Sequence, residues 1–125
     1  MIHLDTSFLI RALIRGSRED HRLRSWLAAR EALGMSAVAW TEFLCGPIEA
    51  PLLGLVTELV TERAPFSEDE SAVAATLFNA FGRRRGSLID CMIAAAAIRA
   101  GAPLATVNSG DFRRFRAAGL RLASV

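Results

Sequence analysis

Short runs of consecutive apolar residues alternate along the chain with longer segments in which apolar residues recur every three or four positions. The runs predict buried strands and the longer segments predict helices. Predicted strands cover 2–4, 35–38, 61–64 and 103–107, with an edge strand at 120–124. Predicted helices begin after Asp5 and cover 19–32, with Gly34 ending that segment, then 40–45, 51–60, 67–81, 87–100 and 108–115. Because helices separate the strands and no hairpin turn signal appears, the pattern predicts an α/β fold with a parallel sheet covered on both faces.

The length of 125 residues predicts a single domain, 1–125. An apolar fraction of 52% excludes a disordered chain. The longest uninterrupted apolar run, 91–98, is far shorter than the roughly 20 residues that a membrane span needs. No signal peptide is recognisable, and Cys45 and Cys91 lack metal-binding spacing, so we expect a cytoplasmic protein with reduced thiols.

All 15 basic residues are arginine, against 13 acidic residues, which gives a net charge of +2. The absence of lysine excludes Schiff-base catalysis and a P-loop. It also disfavours a phospho-acceptor signalling domain, which needs a lysine near its acidic pocket. A phosphatase of the haloacid dehalogenase type would need an acid two residues after Asp5, where Ser7 stands.

Four acids follow predicted strands or begin predicted helices: Asp5, Glu42, Asp90 and Asp111. Ligands of parallel α/β sheets bind beyond the carboxyl ends of the strands, where these acids are expected to meet. Asp5 and Asp90 lie within apolar segments, and a buried acid is costly unless it is paired or coordinates a cation.

Each acid also has a purely structural interpretation. Asp5 could cap the first helix, and Ser87 with Asp90 has capping-box spacing. Asn108 could cap the last helix with Asp111 in its first turn, and Glu42 could pair with an arginine. Four acids at one edge, however, would repel one another without a counter-ion, and a hard divalent cation is the natural one.

The order and spacing of four segments, each weak alone, resemble the PIN-domain ribonucleases, and most closely the VapC-type toxins of prokaryotic toxin–antitoxin pairs. The segments, which span nearly the whole chain, are Ile-His-Leu-Asp-Thr-Ser at 2–7, Thr-Glu-Phe-Leu at 41–44, Leu-Ile-Asp-Cys-Met-Ile-Ala-Ala at 88–95 and Thr-Val-Asn-Ser-Gly-Asp-Phe at 106–112. The resemblance implies a three-layer α/β/α sandwich, and it implies that Asp5, Glu42 and Asp90 bind Mg²⁺ or Mn²⁺.

The fourth acidic position departs from many relatives, because Asn108 stands where they carry an acid. We assign Asp111 as the fourth acid of the site and Asn108 as a neutral residue that forms hydrogen bonds there. Ser7 matches a polar position that orients the site, and Thr6 is a further supporting candidate.

The resemblance implies an endoribonuclease that acts on tRNA, rRNA or mRNA, with a VapB-type antitoxin as partner and a homodimeric state. Six arginines flank the predicted site and are candidates for RNA contact: Arg83, Arg84, Arg85, Arg113, Arg114 and Arg116. Solvated surface arginines are the simpler interpretation of each one alone. The alternative function is a non-catalytic PIN-like module that binds RNA or protein.

Overall fold

A four-stranded parallel sheet forms the centre of the computed structural model, which describes residues 1–125. The strands are β1 (Ile2–Leu4), β2 (Leu33–Ser36), β3 (Glu62–Ala64) and β4 (Leu104–Ala105), and their order across the sheet is β3-β2-β1-β4. Every residue of β1, β2 and β4 is buried, as expected when helices cover both faces of a sheet. The predicted α/β class with a parallel sheet is confirmed.

Seven α-helices and one 3₁₀ helix connect and cover the strands. They are α1 (Thr6–Ala12), α2 (Arg18–Ala28), α3 (Ala37–Leu44), α4 (Ala50–Leu59), α5 (Glu68–Ala80), α6 (Leu88–Ala100), α7 (Ser109–Phe112) and the 3₁₀ helix Arg113–Ala118. None of these helices combines the length and the apolar character that crossing a membrane requires.

The boundary between α2 and β2 differs from the prediction. The helix ends at Ala28, and Arg30 adopts a left-handed backbone with φ of 60°. Gly34 does not terminate the helix; it is a buried residue of β2 that pairs with His3 on β1. A Cβ at Gly34 would lie 3.1 Å from His3 Cδ2, so close packing between strands accounts for this glycine.

Three other boundaries also differ. Strand β2 ends at Ser36, whose hydroxyl accepts a hydrogen bond from the Ala39 N–H, so helix α3 begins three residues earlier than predicted. The predicted strand 103–107 has only two residues in ladder pairing. The predicted edge strand 120–124 is wrong, because only one isolated bridge joins Leu122 to Leu104.

Helix α6 packs its small residues inside the molecule. Ala94, Ala95 and Ala97 have no exposed surface, and Ala96 is 2% exposed. Small side chains allow close approach of neighbouring elements, and α5 lies against this helix. The alanine-rich segment therefore packs within one chain, and Asp90 in its first turn is held on a rigid support.

Candidate functional site

Asp5 is the first residue after β1 and is only 4% exposed. It occupies the N-cap position of α1, but its side chain makes no capping hydrogen bond. Instead its Oδ2 atom accepts hydrogen bonds from the Ser7 hydroxyl at 2.6 Å and from the Thr106 hydroxyl at 2.8 Å. Both bonds go to one oxygen, so no protein donor occupies Oδ1.

Thr106 is the orienting residue that sequence reasoning missed. Its hydroxyl donates to Asp5 and accepts a hydrogen bond from the Asn108 N–H at 3.0 Å. The position of Thr106 could have predicted this contact, because Thr106 directly follows β4 just as Asp5 directly follows β1. Parallel neighbours that end in register place the next residues side by side.

Glu42 lies on α3 and is tied to α1 through Thr6. The Thr6 hydroxyl is 2.8 Å from the Ala39 carbonyl oxygen and 3.3 Å from Glu42 Oε1. Burial raises the pKa of Glu42 and the nearby Asp5 raises it further, while the Thr6 hydrogen bond lowers it. The predicted supporting residue Thr6 thus joins two helices at the carboxylate.

Asp90 shows that the four acids share one electrostatic environment. Burial, the largest cause, and repulsion from Asp5, Asp111 and Glu42 together raise its pKa to about 6. Arg114 acts in the opposite direction and lowers the pKa. Asp90 therefore lies within electrostatic range of the other three acids that the sequence places at one edge of the sheet.

The structural alternatives for these residues find little support. Ser87 and Asn108 occupy N-cap positions, but neither side chain caps its helix. Ser87 donates instead to the Arg84 carbonyl oxygen at 2.6 Å. No ion pair includes any of the four acids. The acids consequently carry negative charge that no protein cation neutralises by direct contact.

A small polar cavity of about 190 Å³ adjoins Asp90 and Asp111. It is lined only by polar residues and glycine: Arg84, Arg85, Gly86, Ser87, Asp90, Asp111 and Arg114. Asp111, rather than Asn108, thus lies beside Asp90. Asn108 lines a separate cavity together with Thr106.

Only three of the six predicted RNA-contact arginines line this cavity. Arg83 instead donates to Asn79 Oδ1 at 2.7 Å and lies over the Phe78 ring. Arg116 lines a large cleft beside Met1 and Ile2, at the start of β1. Arg113 is exposed and makes no hydrogen bond or ion pair.

The donor set fits a hard divalent cation in chemistry, since all four candidate ligands are carboxylates. No group of three or more histidine, cysteine, aspartate or glutamate side chains is arranged to hold a metal ion directly. Mg²⁺ commonly keeps several waters and uses only one or two carboxylates, so an open set of acids remains compatible with it.

The sequence model of the PIN domain matches residues 2–118, and the chain belongs to this family. The predicted family and fold class are therefore confirmed. A comparison with curated protein sequences finds no match.

Solved structures similar to this chain include three bacterial complexes. One is VapBC2 from Rickettsia felis bound to a DNA fragment from its promoter, with a TM-score of 0.79, 21% identity and 98% of each chain covered. A second is VapBC-1 from nontypeable Haemophilus influenzae, with a TM-score of 0.72, 22% identity and coverage of 99% and 98%. A third is FitAcB from Neisseria gonorrhoeae, with a TM-score of 0.71, 21% identity and coverage of 99% and 97%. At these identities the likeness establishes a shared fold.

Proposed function

We propose that this PIN domain is a metal-dependent endoribonuclease that hydrolyses RNA phosphodiester bonds, and that it is the toxin of a VapBC-type toxin–antitoxin pair. The observation that carries the proposal is the position of Asp90, which lines a polar cavity with Asp111 and whose pKa is raised by Asp5, Asp111 and Glu42. Such a cluster suits cation binding better than any structural role that the neighbouring residues offer.

The four acids would hold Mg²⁺ or Mn²⁺, which when bound lowers the pKa of a coordinated water and offsets charge on the phosphate. Ser7 and Thr106 fix Asp5 through its Oδ2 atom and leave Oδ1 for a ligand. Thr6 orients Glu42, and Asp90 and Asp111 face the cavity where a phosphate can enter. We expect products with a 5′-phosphate and a 3′-hydroxyl, as in similar nucleases.

Positive charge next to the acids would position the RNA backbone. Arg84 and Arg85 are exposed at the cavity that Asp90 and Asp111 line. Contacts from arginine to phosphates supply affinity and register without reading the base sequence. A tRNA, an rRNA or an mRNA would satisfy this chemistry equally.

An antitoxin of the VapB type is the proposed protein partner, because the structures similar in fold come from VapBC complexes. A mainly apolar groove of about 300 Å³ lies between α1, α3 and the start of α4. Ile10, 52% exposed, and Leu52, 36% exposed, line it together with Glu42. An apolar antitoxin segment seated there would lie directly beside Glu42.

Ile10→Asp tests this surface. Co-purification with a co-expressed VapB-type antitoxin is expected to fall at least about tenfold, because a charge would replace an apolar contact in the interface. Leu88→Asp is the matched control, since Leu88 is 48% exposed and lies outside the groove. Equal capture by both variants would contradict the assignment of the groove.

We also propose that the toxin acts in the cytoplasm and forms a homodimer. Cys45 and Cys91 are both free thiols, as a reducing compartment favours. Light scattering of the purified chain measures the oligomeric state directly. A monomer at micromolar concentration would contradict the dimer and leave the nuclease proposal intact.

The decisive experiment is induced expression of wild type and of Asp5→Asn, followed by sequencing of new RNA 5′ ends. Growth arrest with discrete cuts in the wild type only would support a metal-dependent endoribonuclease. Arrest that persists in a folded Asp5→Asn protein without cuts would indicate a non-catalytic binding module instead. Purified wild type treated with a chelator and then with Mg²⁺ tests the metal requirement.

A further inference from the structure

Arg114 lies in the cavity with Asp90 and Asp111, yet it is paired with neither carboxylate. No ion pair and no hydrogen bond in the chain includes its side chain. Its Nε is the only buried side-chain nitrogen or oxygen without a hydrogen-bond partner. Buried polar groups are nearly always satisfied, so an exception at a candidate site calls for a functional explanation.

Packing, rather than hydrogen bonding, fixes the position of this guanidinium. Phe112 and Phe115 flank Arg114 in sequence, and both rings are fully buried. The two rings meet edge to face at 6.1 Å, and Phe115 also meets Phe81 at 5.6 Å. The Arg114 guanidinium lies 4.6 Å from the centroid of the Phe115 ring. Stacking on a buried aromatic ring holds the planar guanidinium in place, and its N–H groups remain without a hydrogen-bond partner.

The other arginines near the site differ from Arg114 in one of two ways. Arg83 is held by Asn79, so its guanidinium already has a partner. Arg84 and Arg85 are exposed and lack an aromatic support. Only Arg114 combines partial burial, a fixed position and free hydrogen-bond donors beside the acids.

We propose that Arg114 is a catalytic residue whose guanidinium donates hydrogen bonds to a non-bridging oxygen of the phosphodiester being hydrolysed. This inference rests on the proposed function. In that reaction water oxygen forms a bond to phosphorus, the bond to the 3′-oxygen breaks, the attacking water loses a proton and the 3′-oxygen gains one. Negative charge on the non-bridging oxygens grows during attack, and a fixed guanidinium that needs no reorganisation stabilises it.

The test uses the full chain and four variants in single-turnover cleavage at saturating RNA. Arg114→Ala and Arg114→Met are expected to cleave about a hundredfold or more slowly, as when a fixed donor to a developing oxyanion is removed. Arg114→Met keeps an apolar stem against Phe115, so it separates the effect of the charge from the effect of packing. Arg114→Lys should recover part of the rate. Arg15→Ala is the control, because Arg15 is an exposed arginine that does not line the cavity and whose side chain makes no hydrogen bond or ion pair.

Two further readouts separate catalysis from binding and folding. RNA affinity, measured in the Asp5→Asn background to prevent cleavage, is expected to change less than about fivefold when one of several phosphate-binding arginines is replaced. Free guanidinium, well below denaturing concentrations, should raise the rate of Arg114→Ala but not of Arg15→Ala.

An unchanged saturating rate in Arg114→Met overturns the proposal, and so does a decrease that appears only in RNA affinity. If Arg114→Ala does not fold, the cleavage rates of Arg114→Met and Arg114→Lys test the proposal, since both variants keep the aliphatic stem over Phe115. A wild-type chain that cuts no RNA would refute the proposed function itself, whereas a wild type that cuts as fast as Arg114→Met would refute only the role of Arg114.

Discussion

The Thr106 hydroxyl donates a 2.8 Å hydrogen bond to Asp5 Oδ2, although 101 positions separate the two residues in sequence. The sheet explains how they meet. Leu4 on β1 pairs with Ala105 on β4, so the next residue of each strand continues the same register. The Asp5 N–H donates to the Ala105 carbonyl oxygen at 2.9 Å, which fixes the two strand ends together.

Thr106→Val is therefore expected to lower Mg²⁺ affinity or cleavage by about 10- to 100-fold, because partners that orient a metal ligand have effects of that size. Valine keeps the shape of the side chain and removes only the hydroxyl. Thr76→Val is the control, since Thr76 is an exposed residue of α5 that donates only to the Ala72 carbonyl oxygen. Titration of cleavage against Mg²⁺ for both variants checks the prediction, and equal curves would contradict it.

Asp90→Asn is expected to stabilise the metal-free protein above pH 6. Folding raises the pKa of Asp90 from 3.8 to about 6, so the charged form destabilises the folded state. The shift corresponds to up to about 3 kcal/mol, which solvent around this partly exposed group reduces to about 1–2 kcal/mol. The folded state binds more protons between the two pKa values, so the penalty is complete above the folded value and disappears below the unfolded one.

Urea unfolding of wild type and Asp90→Asn at about pH 8 and about pH 3.5 measures this difference. The stabilising effect should be present at the higher pH and absent at the lower one. Added Mg²⁺ should stabilise the wild type at pH 8 much more than Asp90→Asn, because a ligand that binds only the folded state shifts the equilibrium. A destabilised Asp90→Asn protein at pH 8 would refute the electrostatic explanation.

Protonation of Asp90 is also expected to set the pH dependence of the proposed activity. A carboxylate must be deprotonated to bind a metal ion, so Mg²⁺ affinity is expected to fall as the pH drops through about 6. The Mg²⁺ concentration at half-maximal cleavage, measured between about pH 5 and pH 8, checks this expectation. A concentration independent of pH over that range would contradict it.

The exposed arginines of the cavity should determine salt dependence. The double variant Arg84→Ala/Arg85→Ala is expected to weaken RNA binding and to reduce the slope of log affinity against log salt by about 1.4, since each phosphate that an arginine neutralises on a single strand contributes about 0.7. Arg83→Ala is the matched control, because Arg83 is held by Asn79 at the adjacent position. Equal slopes for the two variants would exclude the proposed role of Arg84 and Arg85 in RNA binding.

Gly34→Ala is expected to destabilise the fold by about 1–3 kcal/mol through overpacking. Its Cβ would lie 3.0 Å from Met1 Sδ and 3.1 Å from Cδ2 of the buried His3. Gly54→Ala in α4 is the opposite case, because nothing lies within 4 Å of that Cβ, and alanine should stabilise the helix by about 0.5–1 kcal/mol. The melting temperatures of both variants, compared with wild type, test these two expectations. Stabilisation by Gly34→Ala would refute the packing explanation.

The sequence predicts the sheet class well because it depends on local signals. Apolar runs mark β1 and β4, and Asp5 directly follows such a run. The role of Gly34 could not be predicted from local pattern, because its close neighbour His3 lies 31 positions earlier, on the adjacent strand. The six arginines looked equivalent in sequence, and only tertiary packing distinguishes Arg83 on Phe78 from Arg114 on Phe115.

The four candidate acids are spread between positions 5 and 111, and this spread determines when all of them can first be present during synthesis. Strand β1 leaves the ribosome first, but its neighbour β4 follows about a hundred residues later. Until β4 has emerged, Thr106 cannot orient Asp5 and Asp111 is absent. Pairing between strands so distant in sequence is a late and slow folding event. A nascent chain that stops before Asp111 therefore holds no complete set of acids, and any nuclease activity begins only after that position has been synthesised.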